Sequence, residues 1–222
     1  MFYAAALDTS VGISFALINM KTSEKMVNIR ILDTGRKTLT LIQSTVADAL
    51  KKHSISINDI KNWTIGTGPG SFTGLRIGSA FVKGVCCALQ TPYRGIPSSL
   101  AMAAEFADSA KNIAVLHDGK RRELIFTGYR NEENQLIETH SSEALKENEI
   151  NPILNEFDIL ITPHEDVVSS LLSNPNKNKL VISVPDASFL ISSLTESWPE
   201  TVSAMEKSCQ PIYVRPAVFV NP

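Results

Sequence analysis

Gly66-Thr67-Gly68-Pro69-Gly70-Ser71-Phe72-Thr73-Gly74-Leu75-Arg76-Ile77-Gly78, about a third of the way along a chain of 222 residues, decides how the rest is read. Five glycines and a proline stand there between an apolar run, Asn62-Trp63-Thr64-Ile65, and a helical pattern. Glycine at that density lets a backbone turn sharply or approach another group closely. Either the stretch cradles a phosphate, or it lets the following helix pack unusually close to something.

Phosphate templates are specific enough to test. A P-loop needs Gly, four residues, then Gly-Lys-Ser/Thr, and no glycine here has that sequel. The dinucleotide pattern Gly-x-Gly-x-x-Gly fails at Ser71, and the hydrolase elbow Gly-x-Ser-x-Gly fails because Phe72 stands centrally between Gly70 and Gly74. An anion at the amides of a helix start is physically reasonable. The better-supported expectation is a structural turn that launches a helix.

That helix, residues 75–90, carries Arg76, Lys83 and Gln90 seven apart on one narrow edge. Ala80, Gly84 and Ala88 form a small-residue stripe, while Leu75, Ser79, Val82, Cys86 and Leu89 form a second. A helix apolar around most of its circumference is buried on more than one side. One side can face its own sheet; the other needs a cover.

Towards the N-terminus, residues 3–7, 12–18 and 27–31 show strand patterning, the last with Val27, Ile29 and Ile31 at period two, so the chain opens with an antiparallel meander. Asp33 or Thr34 can cap the next helix. Leu39, Ile42, Val46, Ala49 and Leu50 keep helical spacing along it, with Leu41 off the stripe. Residues 62–65 make a fourth strand, 93–96 a fifth, and Pro97-Ser98-Ser99 opens a helix to about Asp108.

From Asn112 a similar order begins again. Strands are expected at 113–116, 123–129 and 135–139, a helix at 142–147, a strand at 157–161, a helix at 164–172, a strand at 180–183 and a helix at 187–196. Residues 174–179 form an exposed loop, and 209–222, with Pro211 and Pro216, an extended tail. The expected architecture is α/β, in two lobes that share one topology, residues 1–110 and 111–222.

The bulk composition, 43% hydrophobic and 20% charged with net charge −2, belongs to a globular protein without a global basic field for nucleic acid. Lys120-Arg121-Arg122 is the local exception, expected as a solvated turn. No run is expected to span a membrane, the start is unlike a signal peptide, and three cysteines fit reduced thiols in a cytoplasmic protein.

The search for chemistry finds little. His53, His117, His140 and His164 lack paired ligand spacing, and adjacent Cys86 and Cys87 are a poor chelate that fits small packing groups instead. No metal and no cofactor are expected. Asp8, ending the first strand before Thr9, Ser10 and Gly12, is a weak nucleotide-site candidate. Against it, all eleven glycines lie at or before Gly128, so most of the second half lacks loops for close backbone approach.

At Gly68-Pro69-Gly70-Ser71-Phe72-Thr73-Gly74-Leu75-Arg76-Ile77-Gly78 the sequence resembles the TsaB (YeaZ) family. Leu7-Asp8-Thr9-Ser10, Gly95-Ile96-Pro97-Ser98-Ser99-Leu100, Asp118-Gly119-Lys120-Arg121-Arg122-Glu123-Leu124 and Pro211-Ile212-Tyr213-Val214-Arg215 add supporting matches. The resemblance covers the first half well and the second half loosely.

It implies a two-lobed actin-like ATPase fold, related to ribonuclease H, with mixed sheets and a degenerate nucleotide site. It further implies a non-catalytic cytoplasmic subunit that binds and activates TsaD for threonylcarbamoyl transfer to N6 of adenosine 37 in ANN-decoding tRNAs. TsaE would join that heterodimer, the chain alone would homodimerise, and tRNA would be reached only through the complex. The partner surface is then expected on Leu75, Arg76, Ser79, Ala80, Val82, Lys83 and Cys86, with Leu41 from the preceding helix. The competing expectation is an ATP-binding phosphotransferase or ATPase that uses Asp8 and the glycine turn.

Overall fold

The structure, a computed structural model, describes residues 2–32, 38–133, 135–172, 179–192 and 198–214. The chain divides into two compact units, Met1–Glu105 with Val184–Pro211, and Phe106–Ser183 with Ile212–Pro222. A division after residue 110 is therefore corrected: the stretch Val184–Pro211 returns to the first unit.

The first unit contains β1 (Tyr3–Asp8), β2 (Ile13–Asn19), β3 (Lys25–Ile31), α1 (Thr38–Lys52), β4 (Ile60–Gly66), α2 (Phe72–Leu89), β5 (Tyr93–Ile96) and α3 (Ser98–Ala104). Its sheet runs β3-β2-β1-β4-β5, antiparallel from β1 through β3 and parallel from β1 through β5. All six residues of β1 are buried, as a central strand covered on both faces requires. One face carries Tyr3, Ala5 and Leu7 with Phe15, Trp63, Ile42, Val46 and Val82. Ala6 and Ala16 lie on the other, where small side chains admit a helix closely.

The second unit contains β6 (Asn112–Asp118), β7 (Glu123–Glu132), β8 (Gln135–Lys146), α4 (Glu147–Leu154), β9 (Ile159–Thr162), α5 (Glu165–Leu171) and β10 (Leu180–Ile182). Its sheet runs β10-β9-β6-β7-β8 with the same senses of pairing, so the shared topology expected from the order of elements is present. Ala114, Leu116, Leu124, Phe126, Ile150, Leu154, Phe157 and Val168 form its core.

The chain then returns to the first unit as α6 (Ala187–Ser192) and α7 (Val202–Ser208). Asp186 secures the return. It accepts from Arg30 Nη2 at 2.5 Å, from Asn28 Nδ2 at 2.9 Å and from the Ser188 amide at 2.8 Å. Burial alone would raise its pKa, but these donors hold it down at about 2. Ala187 N donates to Ser14 Oγ at 2.9 Å, which lays Ala187 and Leu190 on Ala6 and Ala16.

Several expectations are corrected. Residues 142–146 belong to β8, because Ala144 and Leu145 pair with Ile125 and Leu124, and Thr127 Oγ1 meets Ser142 Oγ at 2.8 Å. The helix begins only after Lys146, whose amide donates to Glu149 at 2.8 Å. α3 ends at Ala104, and turns follow in which the Ser109 amide and hydroxyl both donate to Phe106 O. α7, absent from the sequence reading, starts at Thr201, whose hydroxyl accepts from Ala204 N. Leu39 is 49% exposed, whereas Leu41 packs partly buried on the first unit's core, one turn before buried Thr45.

Phe72–Leu89 is also long and apolar enough, by length and composition, to cross a membrane, contrary to the sequence reading; its buried residues serve the first unit's own interior. The Asp33 and Thr34 caps, residues 174–178 of the loop, 193–196 of the expected last helix and 215–222 of the tail lie outside the described residues.

Candidate functional site

The glycine turn packs on the turn Asp8-Thr9-Ser10, and both carboxylate oxygens of Asp8 accept internal hydrogen bonds, from Ser10 and from Ser98. Asp8 Oδ1 accepts from Ser10 N at 2.8 Å and Ser10 Oγ at 2.6 Å, while Oδ2 accepts from Ser98 Oγ. Ser98 Oγ in turn accepts from Gly68 N at 2.9 Å. Ser71 N donates to Ser10 O at 2.7 Å, and Thr9 Oγ1 donates to Gly74 O at 2.8 Å.

Two glycines show why the stretch needs its composition. A Cβ on Gly66 would lie 1.8 Å from Asp8 Oδ2, and one on Gly74 would lie 2.1 Å from Thr9 O. The bare backbone at these positions is consumed by the chain's own β1–β2 turn. Burial raises the Asp8 pKa and the hydrogen bonds from Ser10 and Ser98 oppose it. Asp8 is thus an internal acceptor, buried with Thr9 and Ser10.

Ser71 caps α2, its hydroxyl accepting from Gly74 N at 3.2 Å, and Gln90 ends the helix in the left-handed conformation. Only Gly74, Leu75, Gly78, Val82 and Cys86 of its 18 residues are buried. Leu75, Val82 and Cys86 are therefore corrected from partner surface to core, and burial pushes the Cys86 thiol up to about 11. Arg76 and Ala80 are exposed, and Ser79 is half-buried at the margin. Lys83, also half-buried, is bound to Glu206 at 2.6 Å.

Ala80, Gly84, Cys87 and Ala88 make the outer face, so Cys87 is not the packing group its neighbour is. A Cβ added to Gly84 would meet nothing within 4 Å. Phe72 also belongs here, with the Arg76 guanidinium 3.7 Å over its ring. Spacing along the helix marks the small-residue stripe, and only the packing on the sheet shows that it faces outward. Beyond Cys87 a groove of about 1070 Å³ opens toward α7, lined by Tyr93, Trp198, Val202 and Met205. Glu206 at its rim accepts from Tyr93 Oη at 2.5 Å.

In the second unit His117 is buried with neither ring nitrogen hydrogen-bonded, and its ring lies 6.0 Å from that of His164. Burial, then the charge of His164, lowers its pKa to about 3. Among the described residues no three His, Cys, Asp or Glu side chains are grouped to hold a metal ion.

A family model described as TsaD, tRNA N6-adenosine threonylcarbamoyltransferase, matches residues 33–193. The tRNA threonylcarbamoyladenosine biosynthesis protein TsaB of Escherichia coli (strain K12) is 30% identical over 148 residues, 65% of this chain and 62% of that relative. The same-named protein of Haemophilus influenzae is 26% identical over 126 residues, 51% of this chain and 53% of that relative. The matches thus span less than two thirds of those relatives' lengths.

Two solved structures share the fold. YeaZ from Pseudomonas aeruginosa superposes with TM-score 0.75 at 21% identity, covering 96% of this chain and 100% of that one. A P. aeruginosa protein described as similar to peptidase YEAZ gives 0.77 at 21% identity, covering 97% and 100%. In the fold they share, this chain offers one occupied turn and one uncovered helix.

Proposed function

This chain belongs to the TsaD family of tRNA N6-adenosine threonylcarbamoyltransferases, and from that premise we propose that it is a TsaB-like, non-catalytic subunit that binds and activates a TsaD partner. The reaction it supports is threonylcarbamoyl transfer to N6 of a tRNA adenosine, carried out by that partner. TsaE joins the pair, and the chain alone forms a homodimer over the same surface.

The observation that carries this reading is α2. It is 18 residues long and largely apolar, yet buries five of them within its own unit. Its outer face presents Ala80, Gly84 and Ala88, side chains that allow another helix to approach closely, bordered by Arg76. A stable pairing of this kind covers roughly 800 Å² per partner, which α2 with the exposed side of α1 can supply. The sealed turn around Asp8 supports the non-catalytic part, because the carboxylate that a nucleotide site would use already serves three internal donors.

Co-purification with the TsaD of the same organism tests it. Ala80→Arg is expected to abolish the pairing, by at least about tenfold in Kd as rejection of a buried unpaired charge requires, with folding unchanged. Strict monomer behaviour of the unmodified chain, alone and with TsaD, would refute the proposal.

A further inference from the structure

The β6–β7 hairpin closes in an unusual way. Gly119 N donates to Glu123 O at 2.9 Å and Glu123 N donates to Lys120 O at 3.1 Å, so residues 120–122 form the tip. All three lie at positive φ: Lys120 at 62°, Arg121 at 53° and Arg122 at 60°. Consecutive left-handed residues suit Asn and Gly, the pair favoured in such turns. Long side chains with a Cβ seldom adopt that conformation. The tip therefore violates local preference three times over, at a place where no core packing gains from it.

Charge is what these residues share. Residues 106–183 carry thirteen Asp and Glu against eight Lys and Arg, and three of those eight are consecutive here. Lys120 pairs with Asp118 and Arg122 stands 3.5 Å from Glu147, but the two cationic side chains are 80% and 79% exposed. Pairs so open to water are weak and easily exchanged for an external anion. Asp118 is tied down at the base, accepting from Lys120 N at 2.8 Å, so the strand end fixes where the tip points its cations. A conformation held against preference at an exposed position is a mark of function.

We propose that the Lys120–Arg122 hairpin tip is a contact for the phosphate backbone of the tRNA substrate, so that this chain touches the tRNA directly. This rests on the function proposed above, which supplies a tRNA as the substrate, and it replaces the expectation that tRNA is reached only through the partner. Three cations on a short turn fit backbone recognition without sequence readout.

The test measures anisotropy of a fluorescein-labelled tRNA titrated with the chain alone and with its TsaD complex, between about 50 and 200 mM salt, a range over which counterion release is steep. Lys120→Gln/Arg121→Gln/Arg122→Gln is expected to weaken tRNA binding about tenfold and to reduce the salt slope by about 2 to 3, roughly one for each phosphate that is no longer neutralised. Co-purification with TsaD stays unchanged. A control triple, Lys21→Gln/Lys61→Gln/Lys207→Gln, removes the same net charge from exposed positions of the first unit and is expected to change the slope by less than about 1, on the same counting. Equal effects of both triples, or an unchanged slope in the first, would overturn the inference.

A second variant, Arg121→Asn/Arg122→Gly, fits the turn better and is expected to raise the Tm by a few degrees while still weakening tRNA binding. A raised Tm with binding intact would show a merely structural turn. Failure of the unmodified chain to pair with TsaD counts against the function proposed above, and the titration of the chain alone then decides the hairpin separately.

Discussion

The two units share a strand order and differ in the helices that cross between their parallel strands. In the first, α1 has 15 residues and α2 has 18. In the second, the corresponding α4 and α5 have eight and seven. A five-stranded sheet of this topology therefore closes with helices of about two turns. The extra length of α1 and α2 is not needed to complete the fold, and in α2 it is the part whose outer side carries Ala80, Gly84 and Ala88. The glycine turn belongs to the same contrast. α5 starts from His164 with no side-chain cap, whereas α2 starts from a capped, glycine-rich turn locked onto β1.

The comparison breaks most sharply in the cores. Val82→Glu in α2 places a carboxylate where the side chain is wholly buried, and is expected to cost at least about 4 kcal/mol. Val168→Glu in α5, equally buried, does the same to the second unit. Circular dichroism and hydrogen exchange should show each variant melting its own unit; a folded Val82→Glu chain would mean that the inner side of α2 has been misplaced.

Next in size is a pH effect confined to the second unit. His117 stays neutral in the fold down to about pH 3, while an unfolded histidine binds its proton near 6.5. The unfolded state therefore holds more protons between those values, and stability present above pH 6.5 is lost as the pH falls toward 3, by up to about 5 kcal/mol. Amide protection factors along β6, taken relative to the intrinsic exchange rate at each pH, should fall over that window, and His117→Leu should flatten the response. An unchanged slope in His117→Leu would assign the acid sensitivity to other groups.

Asp8→Ala leaves the Ser10 amide and two hydroxyls without their acceptor, an expected loss of about 2–3 kcal/mol from the first unit. Calorimetry with ATP and magnesium should give no binding heat before or after that change; heat abolished by it would restore the phosphotransferase reading. The smallest effect separates stability from assembly. Gly84→Leu meets open space and gains helix propensity, about 0.5–1 kcal/mol. It should stabilise the free chain, seen as a higher Tm, while weakening the TsaD pairing in a pull-down.

Much of this was legible in the sequence, because short apolar runs mark the buried strands, β3 keeps period two, and the glycine stretch matches no phosphate template. Periodicity also separated the two stripes of α2. It could not say which one faces inward, since Leu75, Val82 and Cys86 become core only through their packing on β1 and β4. Residues 142–146, Ser-Glu-Ala-Leu-Lys, have helix-forming composition, and pairing with β7 overrides it. α7 is seven residues long with little beyond Thr201 to announce it. The return of α6 depends on Ala187 bonding Ser14 across 173 positions, which no local pattern reveals.

That return has a consequence for the order of events at the ribosome. Ala6 and Ala16 are covered by residues that emerge only after the whole of 106–183 has been made. At roughly 5–20 residues per second, the first sheet waits several seconds with that side only partly covered, by Ile96, Leu100 and Ala101, while all five strands of the second sheet are already made. The second unit's sheet, β6 to β10, thus has the means to form before α6 closes the second face of the first sheet.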